Sequence, residues 1–282
     1  MSDVPESHPR YLSLKIRDAI VKGVEQGITS VHGLIAHGRG EAFDYLIGEK
    51  TQSFARAAIR AAAAMLLLAE HPVISVNGNA AALVPDELVE LGKNLNAPLE
   101  VNIFHASKER EQAMRRHLLE HGAVEVLMPT KQAQLSFIDS NRKFVHPEGI
   151  FKADVVFVPL EDGDRCEALR KMGKDVVTID LNPMSRTAKR ASVTIVDNVV
   201  RALPLLIQEI QTLKRVSPTA LKEIVSGYNN REVLQVALQC ILSDLSLVPI
   251  NRAKAVQQCG CIQCTRRRRK APSRGEKQGN CA

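Results

Sequence analysis

The chain has 282 residues, 45% of them hydrophobic and 24% charged, a balance that supports a packed core and excludes a largely disordered protein. With no Trp and only 4% aromatic residues, it has little with which to stack single-stranded nucleic acid. The formal charge of +7 is uneven: residues 252–282 hold nine basic side chains and one acid, so this tail carries +8 and the remainder sits at −1.

The opening stretch "MSDVPESHPR" has no apolar core, so no secretory signal is expected. Residues 1–71 read as an N-terminal helical region. Leu12, Ile16, Ala19, Ile20 and Val24 recur at three- and four-residue steps, which predicts one apolar helix face. The following "LIAHGRGEAFDYLIGEKT" reads as too glycine-rich for one continuous helix. "AAIRAAAAMLLLA" (Ala57–Ala69) carries Arg60 and falls short of the about 20 apolar residues that span a bilayer. It predicts a helix buried on several sides, in a core or across a dimer interface. A soluble, cytoplasmic protein with no membrane partner is expected.

From residue 72 the rhythm changes. "PVISV", "LEVNIF", "VEVLM", "ADVVFVPL", "DVVTID" and "ASVTIV" are short β-branched runs, several separated by helical segments such as "SKEREQAMRRHLLEHG" and "RCEALRKMG". Apolar strands alternating with helices indicate a mainly parallel sheet covered on both faces. The predicted class is α/β, a Rossmann-like sheet over residues 72–246 with the helical region before it and helices at its C-terminal end. Pro204 is expected to kink the helix after Asn198 or delay its start. Residues 247–282 read as a disordered tail. Cys166 and Cys240 are far apart in the body, which suits a reducing compartment. In the tail, Cys259, Cys261, Cys264 and Cys281 are possible zinc ligands, and Arg266–Lys270 could attract nucleic acid or another polyanion. A solvated tail is the plainer reading, and no metal site is assigned.

In an open α/β sheet ligands sit beyond the carboxyl ends of the strands, and four such ends carry polar residues. In "VISVNGNAAAL", Asn77, Gly78 and Asn79 lead from a strand into a small-residue helix start; they suit either close approach to an anionic ligand or a plain Asn-Gly turn. In "VPLEDGDR", Glu161, Asp162 and Asp164 could hold Mg²⁺ or an ammonium group, or form an exposed turn in which Asp164 caps the next helix. In "IDLNPMSRT", Asp180 can accept ribose hydroxyls and Arg186 offers a forked donor to phosphate. In "IVDNVV", Asn198 can cap a helix whose first amides face a phosphate. There is no GxxxxGK[ST] loop, and "GRGEAF" has only the first two glycines of GxGxxG. The residues alone indicate a phosphate- or nucleotide-binding α/β protein without a P-loop.

The stretches "GLIAHGRGEAFDYLIGEKT", "AAIRAAAAMLLLAEHPVISVNGNAAALVP", "ADVVFVPLEDGDR", "IDLNPMSRTA" and "VTIVDNVVRA" closely resemble the 4-phosphopantoate–β-alanine ligase (phosphopantothenate synthetase) family of archaeal coenzyme A biosynthesis. The resemblance runs from about Arg10 to about Leu242 and leaves out the tail. It implies a homodimer that condenses 4-phosphopantoate with β-alanine through an acyl-adenylate, releasing AMP and diphosphate. It further implies that ATP, with its Mg²⁺, meets Arg17, Arg39, Asp180, Leu181, Asn182, Arg186, Thr187, Asn198 and Val199. Asn77, Gly78 and Asn79 remain substrate candidates. β-Alanine must attack as the free amine, and the candidate bases are His37, Glu161, Asp162 and His105. Competing readings are a nucleotide- or sugar-phosphate-binding protein without catalysis, and a nucleic-acid-associated protein acting through its tail.

Overall fold

The computed structural model describes residues 4–103 and 107–246. His105 and the 247–282 tail, with its cysteines and arginine run, lie outside the described residues. Three helices come first: α1 (Tyr11–Glu25), α2 (Val31–Ile47) and α3 (Ser53–Leu68). β1 (Pro72–Val76) runs into α4 (Gly78–Leu83) and α5 (Pro85–Leu95), and β2 (Leu99–Val101) into α6 (Lys108–Glu120). After β3 (Val126–Leu127) comes a hairpin of β4 (Thr130–Gln134) and β5 (Phe144–Val145), bridged by a tight helical turn at Asn141–Lys143. A wide turn over Pro147–Phe151 leads to β6 (Val155–Phe157), followed by α7 (Gly163–Lys171) and β7 (Asp175–Ile179). The chain continues through α8 (Arg186–Arg190), β8 (Val193–Ile195), α9 (Val199–Leu213), α10 (Pro218–Ser226) and α11 (Asn230–Ser246).

β1, β2, β3, β6, β7 and β8 form a six-stranded sheet in the order β3-β2-β1-β6-β7-β8, and each neighbouring pair is parallel. The order reverses between β1 and β6, so a crevice opens beyond their carboxyl ends. The α/β expectation holds, and its six apolar runs are the six parallel strands. Because side chains alternate along a strand, the sheet feeds two cores. Ile74, Phe157, Val177 and Ile195 belong to the core shared with α3, α5 and α9, while Val73, Val156 and Val176 pack with Leu169 of α7 and Val145 of the hairpin.

One local outcome differs from expectation, and two others decide between alternatives that the sequence left open. "LIAHGRGEAFDYLIG" forms a single helix, because α2 runs unbroken from Val31 to Ile47 with Gly33, Gly38 and Gly40 inside it. Interior glycines cost a helix about 1 kcal/mol each against Ala, and packing offsets that cost. A side chain at Gly33 would collide with Asn79 and Thr29, and one at Gly40 would touch Leu181. Next, α9 starts at Val199 without delay and passes through Pro204. Finally, the apolar circumference of α3 is used up within the chain, against α9, α10 and β8. Arg56 and Arg60 lie on the part that faces water.

Candidate functional site

α1 and α2 stand over the carboxyl end of β1, in contact with α4. Between them and the sheet edge lies a cavity of about 320 Å³. The Asn77 side chain caps α4 by accepting from the Ala80 N–H (3.1 Å), and its Nδ2 donates to the Pro159 carbonyl (2.7 Å). Asn79 accepts from Thr29 Oγ1 (2.6 Å) and donates to the Gly33 carbonyl (2.9 Å), which ties α4 to the start of α2. Gly78 is needed for a contact inside the protein: a Cβ there would lie 2.8 Å from the Ile28 carbonyl and 2.9 Å from Thr29 Cα. All three residues line the cavity.

At the end of β6, Leu160 has a positive φ of 56°, a conformation that costs a non-glycine residue roughly 1–3 kcal/mol. The strained segment is held from several sides. Leu160 N–H donates to the Ile179 carbonyl (3.0 Å), and Thr187 Oγ1 donates to the Glu161 carbonyl (2.7 Å). The Glu161 carboxylate is fully buried between Arg142 and Arg165, at 2.5 Å from each. Burial pushes Glu161 up, but the charges of Arg142 and Arg165 prevail and hold it below the ordinary carboxylate range. This saturated carboxylate is absent from the cavity wall, whereas Asp162 lies on it. Burial and the Glu161 charge push Asp162 above the ordinary range, with Arg142 opposing.

The ends of β7 and β8 complete the floor. Asp180 shapes its own loop: it accepts from the Asn182 N–H (2.9 Å) and from the Ser185 hydroxyl. Burial raises its pKa against those hydrogen bonds and the charge of Arg39. Leu181 reaches the cavity, as do Asn198 and Val199 at the start of α9. The Asn198 carbonyl oxygen of the side chain caps α9 through the Val200 N–H (3.3 Å), and its Nδ2 donates to Asp44 of α2 (2.8 Å). Arg201 bridges Asp44 and Asp197, so the segment after β8 and the α2 roof are joined by charge-assisted contacts.

From the roof, α2 contributes His37 and Arg39. Burial lowers the His37 pKa, which leaves the ring neutral near pH 7, and its Nε2 has no hydrogen-bond partner among the described residues. Arg17 faces an adjoining groove that it shares with His37, and there it forks onto Glu41 (2.9 and 3.0 Å from Nε). Arg186 and Thr187 do not line the cavity. Arg186 is an exposed side chain paired with Glu167, whose pKa falls to about 2 beside that guanidinium and Lys171. Asn182 accepts from the Met184 N–H (2.9 Å) and, like Asp180, does not line the cavity.

Sequence reasoning missed Arg110 of α6 and Arg142 of the hairpin turn, both on the cavity wall. No motif surrounds either; each is one cation among several in a charged stretch. Among the described residues there is no group of three or more His, Cys, Asp or Glu able to hold a metal ion, and no helix long and apolar enough to cross a membrane.

The phosphopantothenate/pantothenate synthetase family model matches residues 54–244. A 4-phosphopantoate–β-alanine ligase of Thermococcus kodakarensis is 52% identical over 239 residues, 84% of this chain and 92% of that protein. The ligase of the same name from Methanosarcina mazei is 50% identical over 245 residues, covering 87% and 96%. One from Methanospirillum hungatei is 48% identical over 224 residues. With a crevice at the sheet's switch point, polar strand ends gathered around it and relatives matched along most of their length, this chain belongs to the phosphopantothenate/pantothenate synthetase family.

Proposed function

We propose that the chain is an ATP-dependent 4-phosphopantoate–β-alanine ligase of coenzyme A biosynthesis, working in the cytoplasm. The observation that carries this reading is the convergence, on one cavity at the β1–β6 switch, of His37, Arg39, Asn77, Asp162, Leu181 and Asn198, which come from five separate chain segments. Roughly half identity to enzymes named for this reaction supports the same activity. ATP lies along the β7–β8 side, against Leu181, Asn198 and Val199, with Arg39 above it. Asp180 and Asn182 shape that loop, and the hydroxyl of Thr187 braces it. Arg186, itself exposed, reaches phosphate by leaving its partner Glu167, and Arg17 by leaving Glu41. Phosphopantoate lies against Asn77, Gly78 and Asn79, with Arg110 near its anionic groups.

In this site the phosphopantoate carboxylate attacks the α-phosphorus and diphosphate leaves. Fixed cations stabilise the charge that grows there, because in a closed site they need no reorganisation. Mg²⁺ enters with ATP, held by the triphosphate, and would further neutralise the phosphates.

The same reading includes a homodimer. Leu12 and Val21 of α1, with Val31, Ile35, Tyr45 and Leu46 of α2, are exposed, half of the large exposed hydrophobics among the described residues. A patch of this kind marks a partner surface, and a second copy is its simplest partner.

The test is product analysis with purified protein. AMP and diphosphate should form only when phosphopantoate and β-alanine are both present, apart from slow exchange with phosphopantoate alone. Release of ADP and phosphate would overturn the adenylate route, and ATP binding without turnover under any substrate combination would favour the non-catalytic binder.

A further inference from the structure

The hairpin turn places Arg142 where no sequence motif points. Its side chain is only 4% exposed, yet it borders the cavity. Nε donates to Asn102 Oδ1 at the end of β2 (3.0 Å), Nη2 to Glu161 Oε2 (2.8 Å) and Nη1 to Asp162 Oδ2 (2.7 Å). One guanidinium therefore joins the ends of β2 and β6 to the inserted hairpin. Asp162 occupies the N-cap position of α7, where an aspartate ordinarily accepts a backbone N–H. Here its side chain makes no capping bond and turns to Arg142 instead. Arg142 engages Oδ2, and the Asp162 side chain is 57% exposed and lines the cavity. Asp162 sits at the end of the strained Leu160 segment, on a wall whose other charged residues are Glu41, Arg39, Arg110 and Arg142.

We infer that Asp162 is the group that receives the ammonium of β-alanine, and that Arg142 is a positioning residue that aims Asp162 at it. The inference rests on the ligase reading and assigns the second half-reaction to this end of the cavity. β-Alanine enters as the ammonium and hydrogen-bonds Asp162 Oδ1. One proton passes to the carboxylate, leaving a free amine. The amine nitrogen bonds to the acyl carbon, the bond from that carbon to the adenylate oxygen breaks, and AMP departs with the electron pair. The second proton of the former ammonium goes to water, and Asp162 releases the first. Asp162 is itself exposed, and a carboxyl held above its ordinary range accepts a proton more readily than an unperturbed aspartate. The charged groups around it are Arg142 from the hairpin, and Glu161 and Asp164 from its own segment. His32, His37, Arg39 and Glu41 of α2 and Arg110 of α6 face the same cavity.

The experiment compares two nucleophiles on the whole protein. Hydroxylamine, neutral at working pH, traps an acyl-adenylate as a hydroxamate and has no proton to give up beforehand. Asp162→Asn should raise the KM for β-alanine by about tenfold or more, the cost of a lost charge-assisted contact, while hydroxamate formation falls by less than about threefold. Arg142→Lys keeps a charge beside Glu161 but cannot span both carboxylates and Asn102. It should also raise the β-alanine KM and move the acid limb of kcat/KM for β-alanine to higher pH, because Asp162 loses the cation that holds it down. The hydroxylamine profile should stay where it was. Equal losses with both nucleophiles, or an unmoved acid limb in Arg142→Lys, would show that the pair is only a structural brace. If the unsubstituted protein forms neither hydroxamate nor exchange product, the ligase reading itself falls, and this assignment with it.

Discussion

Two arginine–glutamate assemblies flank the cavity and are built in opposite ways. On the roof, Arg17 of α1 meets Glu41 of α2 at 2.8 Å with its side chain 40% exposed, and Tyr45 donates to the same carboxylate. Under the sheet edge, Arg142, Glu161 and Arg165 are almost wholly removed from water. An exposed pair contributes little to stability and exchanges partners at small cost. A buried set is fixed, because any one member left alone is an unpaired charge in a poor solvent. The comparison separates the work of the two sides. The floor holds its groups in place before substrate arrives, and the roof keeps cations that can be reassigned to a ligand.

The sharpest way to break this contrast is Glu161→Ala, which strands two buried arginines. Disruption of such a set typically costs about 3–5 kcal/mol, so calorimetry should show a large fall in Tm or failure to fold. A change no larger than for a surface residue would mean that water reaches the set. Glu100 gives the next effect. It is a fully buried carboxylate on β2 that accepts from the His146 and Ile150 N–H groups (2.8 and 2.6 Å). Burial raises it from 4.5 to about 7, against those two hydrogen bonds. The folded chain thus keeps a proton that the unfolded chain loses. Its stabilising contribution is complete below pH 4.5 and disappears as pH rises through about 7, by roughly 3 kcal/mol over the window. Denaturant titrations across that range should show the slope, and Glu100→Gln should flatten it.

On the roof the expected stability changes are smaller. Arg17→Ala should cost less than about 1 kcal/mol while raising the KM for ATP; normal ATP kinetics would remove α1 from the nucleotide site. Smallest of all, Ile35→Asp on the exposed α2 face should leave Tm nearly unchanged, within about 0.5 kcal/mol. Light scattering at micromolar protein should nevertheless show a dimer for the unsubstituted chain and a monomer for this variant. A monomer in both cases would exclude the α1–α2 face as a pairing surface.

The legibility of the sequence followed the same division. Runs such as "PVISV" and "DVVTID" announce strands because burial on both faces demands continuous apolar residues. The strand ends at Asn77 and Asn198 were legible because ligand geometry in such sheets follows from topology, whereas at the end of β7 topology pointed to Asp180 and Arg186 and only the family resemblance named Leu181. The hairpin was not: "TKQAQ" has no alternating apolar pattern, and only Ala133 within it is buried. Arg142 and Arg165 could not be recognised as buried, since an arginine's burial depends on partners from distant segments. α2 escaped for a related reason. Local propensity counts its glycines as a cost, and what outweighs it lies in Thr29, Asn79 and Leu181.

Those glycines also give the roof a dynamic character. Packing answers the glycines at 33 and 40 only while the helix is closed, and Gly38, with nothing within 4 Å of its side-chain position, leaves about 1 kcal/mol uncompensated. α2 should therefore be among the first helices to open, and its amides should exchange with solvent faster than those of α3. Gly33 and Gly40 line the cavity, so a ligand filling it should bind the closed helix and not the open one. By mass action, saturation at a hundredfold excess over Kd adds about 2.7 kcal/mol to closure, slowing exchange by roughly two orders of magnitude. Deuterium uptake in residues 31–47 would then serve as an occupancy gauge, able to rank nucleotides and acyl substrates one at a time without turnover.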